Sequence, residues 1–302
     1  MIRRFKGEIY LMLAAAIWGT AFVFQKVGMD YVGPFTFGVF RFGLGALALL
    51  PVIRFIDGRQ RRKHPDELPM PFSDRKLLAG SLWCGLANFV AGSLQQIALV
   101  YTTAGKTGFI TSLYIVIVPI IMFILRQKVG RLTWFGVALG AFGLYLLCIT
   151  EELRLQLGDS FALAAAVSYA FQILLTDHYA SRVDPFKLSF LQFILAALLS
   201  LVVALMIETI DMRAVLACAF PILYTAILEV SVAFTLQVVG QKYTKPAIAS
   251  LIMALEAVFA AIAGAIALGE IMSGRELAGC IVMFAAFILP QIPEVRKGSE
   301  KF

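Results

Sequence analysis

Residues 101–119 read YTTAGKTGFITSLYIVIVP. A short polar, Gly-containing opening gives way to a long apolar run, and another apolar run precedes it from residue 76. Apolar stretches near ~20 residues, separated by polar or Gly/Pro turns, mark helices that cross a bilayer. Working outward in both directions, the same alternation gives ten spans: 8–26, 34–54, 76–100, 104–125, 131–149, 159–178, 186–207, 213–239, 246–268 and 275–292. Only 55–75 is long and strongly polar, and no separate soluble domain is read. The expected fold is an all-α polytopic membrane protein.

Composition agrees. Of 302 residues, 60% are hydrophobic and 15% charged, with a mean hydropathy of +0.86. Soluble chains carry nearer ~25% charge. The four cysteines, Cys84, Cys148, Cys218 and Cys280, each sit in an apolar stretch. That is neither a disulfide framework nor a zinc pattern. The two histidines, His64 and His178, fall in a polar loop and at a helix end, which argues against intramembrane His catalysis or a His-bound metal. No nucleotide-binding loop or nucleophile elbow is found. The reading is of no enzyme, no metal and no cofactor.

The net charge of +7 reflects membrane topology rather than a nucleic-acid partner, because the basic residues lie between apolar segments. One side collects Arg3, Arg4 and Lys6, the cluster from Arg54 to Lys76, Arg126, Lys128 and Arg131, Arg182 and Lys187, Lys242 and Lys245, and Arg296, Lys297 and Lys301. Of the 26 Lys and Arg, the other side holds only Lys26, Lys106, Arg154, Arg213 and Arg275. Arg41 lies within a span. This bias puts both termini in the cytoplasm, and the expected location is an inner (plasma) membrane. The start, MIRRFKGEIYLMLAAAIW, resembles a signal peptide but is read as a retained first helix.

The halves resemble each other. Ala14–Trp18 matches Ala164–Ser168 at an offset of 150, and Pro34-Phe35 matches Pro185-Phe186 at 151. Gln95, Tyr101 and Thr102 match Gln237, Tyr243 and Thr244 at 142, and Gly136 matches Gly279 at 143. These ordered matches predict two five-helix repeats, 1–150 and 151–302. An odd number of spans per repeat inverts one half relative to the other. Inverted repeats typically place a substrate site at their interface, near the bilayer midplane.

The segments AAAIWGTAFVFQK, FRFGLGALALL, the 101–119 stretch and LEAVFAAIAGAIALGE (255–270) are similar to those of EamA-type transporters of the drug/metabolite transporter superfamily. The resemblance covers essentially all ten spans. It implies a central cavity bounded by helices 1, 3, 4, 6, 8 and 9, and a small-molecule cargo, most often exported. Two positions depart from the pattern: Ala257 stands where Pro often follows the helix-9 Glu, and Arg126-Gln127 stand where the first half often has a Gly-Glu pair like Gly269-Glu270.

Polar side chains at membrane depth are costly and usually face a cavity or a partner. Helix 3 carries Ser81, Asn88 and Gln95 at steps of seven, on one face. Helix 1 groups Trp18, Phe22 and Gln25, and helix 6 offers Ser168 and Gln172. Helix 4 presents Thr107, Thr111 and Tyr114, and the 142 offset sets Tyr114 opposite Glu256. Glu229 and Glu256 are the only deep acids. The candidate substrate-binding residues are Trp18, Asn88, Gln95, Tyr114, Gln172, Glu229, Gln237 and Glu256.

For each of these there is a plainer role: interhelical bonding for the amides, packing for Trp18, a hydrogen-bonded Glu in place of a proton-coupling one. Arg41 could hold a substrate carboxylate, but a structural role is favoured, bonding carbonyls or snorkelling from a peripheral helix, and Trp83 is read as an interfacial anchor. Gly136-x-x-x-Gly140 permits close packing within a monomer, though a homodimer seam stays open. The expected function is secondary transport by alternating access of a zwitterionic amino acid or a neutral or cationic metabolite, with protons as a possible coupling ion. An intramembrane enzyme and a non-transporting receptor or scaffold are the rival readings.

Overall fold

The computed structural model describes residues 5–63, 68–148, 156–268 and 273–291, and among them every regular element is helical. Gly269, Glu270, Arg154 and the basic residues outside these ranges lie beyond the description. Helix is what lipid demands, since a spanning backbone must satisfy its own N–H and C=O groups.

Five helices come from the first half: α1 Lys6–Gly28, α2 Pro34–Lys63, α3 Arg75–Tyr101, α4 in two segments, Ala104–Thr111 and Tyr114–Ile124, and α5 Arg131–Cys148. The second half supplies α6 Leu157–Ala180 and α7 Pro185–Ile207. Next comes α8, which follows a short Met212–Ala217 helix and runs Ala219–Tyr224, Thr225–Phe234 and Thr235–Gln241. Then α9 comes in two segments, Pro246–Met253 and Glu256–Leu268, and α10 is Gly274–Ile288. Eight of these, α1–α4 and α6–α9, are long and apolar enough to cross a membrane. The remaining two, α5 and α10, are shorter.

Polar residues at the ends start the helices. Asp74 accepts from the N–H groups of Lys76 and Leu77, and Asp184 from those of Phe186 and Lys187, satisfying donors that a helix start leaves open. The cap of α2 is supplied from elsewhere in the chain. Glu208, just past α7, accepts from Phe35 N at 3.0 Å and from Thr36 N and Oγ1, both at 2.7 Å. A Cβ at Gly33 would stand 2.3 Å from that carboxyl carbon, so any other residue there would have to displace the capping carboxylate.

The two interruptions fall at matching places. Ser112-Leu113 break α4 and Ala254-Leu255 break α9, the same 142 residues apart as Gln95 and Gln237. Within α8, Thr225–Phe234 is a π-helix, a wider winding with i→i+5 bonds.

Small residues let the helices approach closely. In α5, Gly136 and Gly143 face α10, where added Cβ atoms would meet Ala286 O at 2.8 Å and Met283 N at 2.9 Å. The Gly136-x-x-x-Gly140 motif thus packs inside the chain. α2 lies along α7 and the π segment of α8, α3 along α6 and α7, and α1 along α8 and α9. Large apolar side chains such as Phe123, Phe135, Leu205 and Phe220 are exposed on the outside, as a lipid-facing surface requires.

Candidate functional site

A cavity between the helices is lined by α1 (Trp18, Phe22, Gln25), α3 (Gln95), α4 (Thr111, Tyr114), α6 (Tyr169, Gln172, Ile173), α8 (Glu229, Phe234, Gln237) and α9 (Met253, Glu256). These are the six helices that the resemblance implies. Seven of the eight candidate residues surround this space. The eighth, Asn88, does not line it; its Nδ2 donates to Gln192 Oε1 at 3.1 Å, joining α3 to α7. Ser81, also on the polar face of α3, is buried outside the cavity. Trp83 is exposed on the outer surface of α3.

Tyr114 and Glu256 each open the second segment of an interrupted helix. Glu256 Oε1 accepts from Tyr114 OH and from Ser112 Oγ, both at 3.0 Å. The interruptions give these bonds their geometry, because they free Ser112 from the regular helix and start a new turn at Tyr114.

The amides form a second cluster. Gln172 and Gln237 exchange hydrogen bonds, at 3.0 Å from Gln237 Nε2 and 3.4 Å from Gln172 Nε2. Gln172 also donates to Thr176 at 3.0 Å. Tyr169 OH donates to Gln95 Oε1 at 3.0 Å, tying α6 of the second half to α3 of the first. Trp18 packs edge-on against Phe234, ring centroids 5.0 Å apart.

Arg41 departs from the sequence reading. It neither snorkels nor caps carbonyls. Its Nη1 lies 2.9 Å from Glu229 Oε1, with side chains 1% and 3% exposed. The reason is the packing of α2 onto the π segment of α8, which points the inner face of a peripheral helix at a cavity residue. The guanidinium also stacks over Phe42, 4.6 Å from the ring centroid, and a Cβ at Gly92 would stand 2.8 Å from its Nη2. A buried charge at this depth survives when it is paired and bonded.

Sequence reasoning missed Tyr169 and did not group Phe234 with Glu229. Tyr169 sits three residues before Gln172, one helical turn, and that spacing was the available signal. Phe234 is five residues beyond Glu229. In an α-helix the two would point about 140° apart, whereas an i→i+5 winding brings them to one face.

The cavity is narrow. About 30 Å³ is open to the centres of water molecules, room for roughly two or three. Charged contacts join helices beyond it at both ends: Lys106 Nζ to Asp159 Oδ2 at 2.7 Å between α4 and α6, and Lys187 Nζ to Asp57 Oδ2 at 2.8 Å between α7 and α2. Lys26 Nζ additionally donates to the carbonyl of Leu99 at 2.5 Å, at the end of α3.

The model of the EamA-like transporter family matches this chain twice, over residues 5–149 and 156–290. Two curated proteins of Archaeoglobus fulgidus, both described as uncharacterized transporters, are similar along nearly their whole lengths. One is 30% identical over 292 residues, covering 95% of this chain and 86% of its own. The other is 25% identical over 284 residues, covering 94% and 95%. A solved crystal structure superposes with a TM-score of 0.76 over 97% of this chain and 99% of that one, at 16% identity. That likeness is one of fold.

Proposed function

The chain belongs to the EamA-like transporter family and is a multi-pass membrane transporter of a small molecule; from that premise we propose that it is a secondary transporter working by alternating access. In this reading ten helices form two inverted five-helix repeats, 1–150 and 151–302, with both termini in the cytoplasm of a plasma membrane. The repeats rock about the central cavity, and the favoured direction is export.

The observation that carries the reading is the convergence of α1, α3 and α4 with α6, α8 and α9 on one buried polar space. Broken helices facing a midplane cavity are a recurrent arrangement for binding in secondary transporters. The narrowness of the space supports a moving site, since a metabolite enters only when the lining helices part. The charged contacts at either end, Lys106–Asp159 and Lys187–Asp57, are the bonds that such rocking would break and remake.

Charge narrows the cargo. Arg41, the base beside the cavity, is engaged by Glu229, and no Lys or Arg lines the cavity to hold a dianion such as a sugar phosphate. A zwitterionic amino acid, or a neutral or cationic metabolite, suits the amides, aromatic faces and carboxylates. Glu256, bonded by Tyr114 and Ser112, is the proposed proton site. Purified protein in proteoliposomes should give saturable flux with a member of a broad panel of amino acids, amines and neutral metabolites. A complete lack of saturable flux across that panel would count against transport by this mechanism.

A further inference from the structure

The hydrogen bonds in the cavity leave a particular set of buried atoms without partners. Glu229 gives Oε1 to Arg41, while its Oε2 has none. Gln25, which approaches the Glu229 carboxylate, has an unpartnered Oε1. Both residues are more than nine-tenths buried, and both line the cavity. Among the other lining residues, Trp18 Nε1 and Thr111 Oγ1 are also unpartnered. Glu256 differs: two hydroxyls already bond its Oε1.

Unpartnered buried acceptors are costly and call for N–H or O–H donors. We infer that Glu229 Oε2 and Gln25 Oε1 receive the N–H groups of a substrate ammonium, and that Arg41 is the positioning residue that holds the Glu229 carboxylate for this contact. The inference rests on the proposed transport cavity and deepens it. It assigns the charge partner to Glu229 and leaves Glu256 as the proposed proton site. It also requires an ammonium that carries N–H bonds, because a quaternary nitrogen has nothing to donate.

The remaining atoms describe the rest of the ligand. The indole N–H of Trp18 and the Thr111 hydroxyl can donate to a carbonyl or carboxylate. Arg41 and Glu229 together are neutral, so a zwitterion adds no net charge to the interior, whereas a bare anion would. Phe22, Ile173, Phe234 and Met253 supply an apolar wall for a side chain.

The test uses purified full-length protein in lipid nanodiscs. The probes are the twenty standard α-amino acids and simple primary monoamines, followed by the N,N,N-trimethyl and des-amino analogues of the tightest binder, with Kd from calorimetry. Both analogues should bind at least roughly 100-fold more weakly, the behaviour of a site built to bond an N–H group that the analogue lacks. Glu229→Gln should lose the preference for the amine. Because that change leaves Arg41 buried and unpaired, the double variant Arg41→Gln/Glu229→Gln is the companion, and its preference for the parent compound over the des-amino analogue should fall at least roughly 10-fold below that of the wild type, since the charge is gone although the Gln25 acceptor remains.

Equal binding of parent and trimethyl analogue, or a double variant that keeps the preference, overturns the inference. Saturable flux of a cargo without an amine, with no amine bound, overturns it and leaves transport standing. Amine binding of the expected selectivity without flux supports the ammonium site and removes the transport reading. Neither binding nor flux overturns both.

Discussion

The Tyr114 hydroxyl donates to Glu256 Oε1 at 3.0 Å, and these two residues head the second segments of the two interrupted helices, α4 and α9. They stand 142 residues apart, the separation that also relates Gln95 to Gln237. The site is therefore built where the two broken helices meet, with a phenol from one side and a carboxyl from the other.

Loss of that carboxyl should be decisive. Glu256→Gln is expected to abolish transport or to uncouple it from pH, giving a flux that no longer varies between mildly acidic and mildly alkaline buffers. Glu270→Gln, beyond the described residues, should have little effect. Flux measured against an imposed pH gradient checks both, and a Glu256→Gln protein with wild-type pH dependence would remove the proton-site role.

Tyr114→Phe removes one of two donors to Glu256 and keeps the ring. A buried hydrogen bond contributes about 1 kcal/mol, so apparent substrate affinity should weaken roughly five-fold, with the protein still folded. Ser112→Ala should act in the same direction. Concentration-dependent flux separates the change in affinity from a change in maximal rate.

The Arg41–Glu229 pair predicts a non-additive cycle. Arg41→Met alone strands a buried carboxylate and should destabilise by about 3–5 kcal/mol. Pairing it with Glu229→Gln should return much of that stability while leaving transport impaired. Thermal unfolding in detergent reads the first effect and flux the second; additive losses of stability would mean that the two side chains do not interact.

Glycine positions make a matched comparison. An added Cβ at Gly19 would lie 2.6 Å from Glu256 O and 2.7 Å from Ala260 N, both backbone atoms that cannot swing aside. Gly19→Ala should cost about 1–3 kcal/mol and disturb the site through α9. At Gly58 nothing lies within 4 Å of the new atom, so Gly58→Ala should be neutral or stabilise by up to about 1 kcal/mol through helix propensity. Thermal unfolding of the two variants decides.

Orientation is checked in a background freed of the four native cysteines. Arg62→Cys and Ser299→Cys should both react with an impermeant thiol reagent only from the cytoplasmic side. Labelling of either from outside would break the both-ends-in topology.

How much of this was legible in the sequence follows from the physics of each signal. Membrane helices announce themselves by apolar length, and polar residues within them by their cost, so seven candidates could be named one helix at a time. Asn88 satisfied the same rule, but its partner proved to be Gln192 on α7. The breaks in α4 and α9 were not legible, because Ser112-Leu113 and Ala254-Leu255 contain neither Gly nor Pro. Nor was the bond between Arg41 and Glu229, which lie 188 residues apart and meet only through the packing of α2 on α8. Tyr169 was overlooked although its spacing to Gln172 was visible.

The π winding of Thr225–Phe234 gives α8 two phases. Side chains within the segment repeat over a longer turn than the 3.6 residues of the α-helix beyond it. Glu229 and Phe234 share a face by the first rule, while Gln237 takes its direction from the second. Chain length through this segment is therefore part of the site's geometry: one residue fewer between 225 and 234 would turn the following Thr235–Gln241 by about 100°. Gln237 would swing away from Gln172, although every residue that lines the cavity would still be present in the sequence.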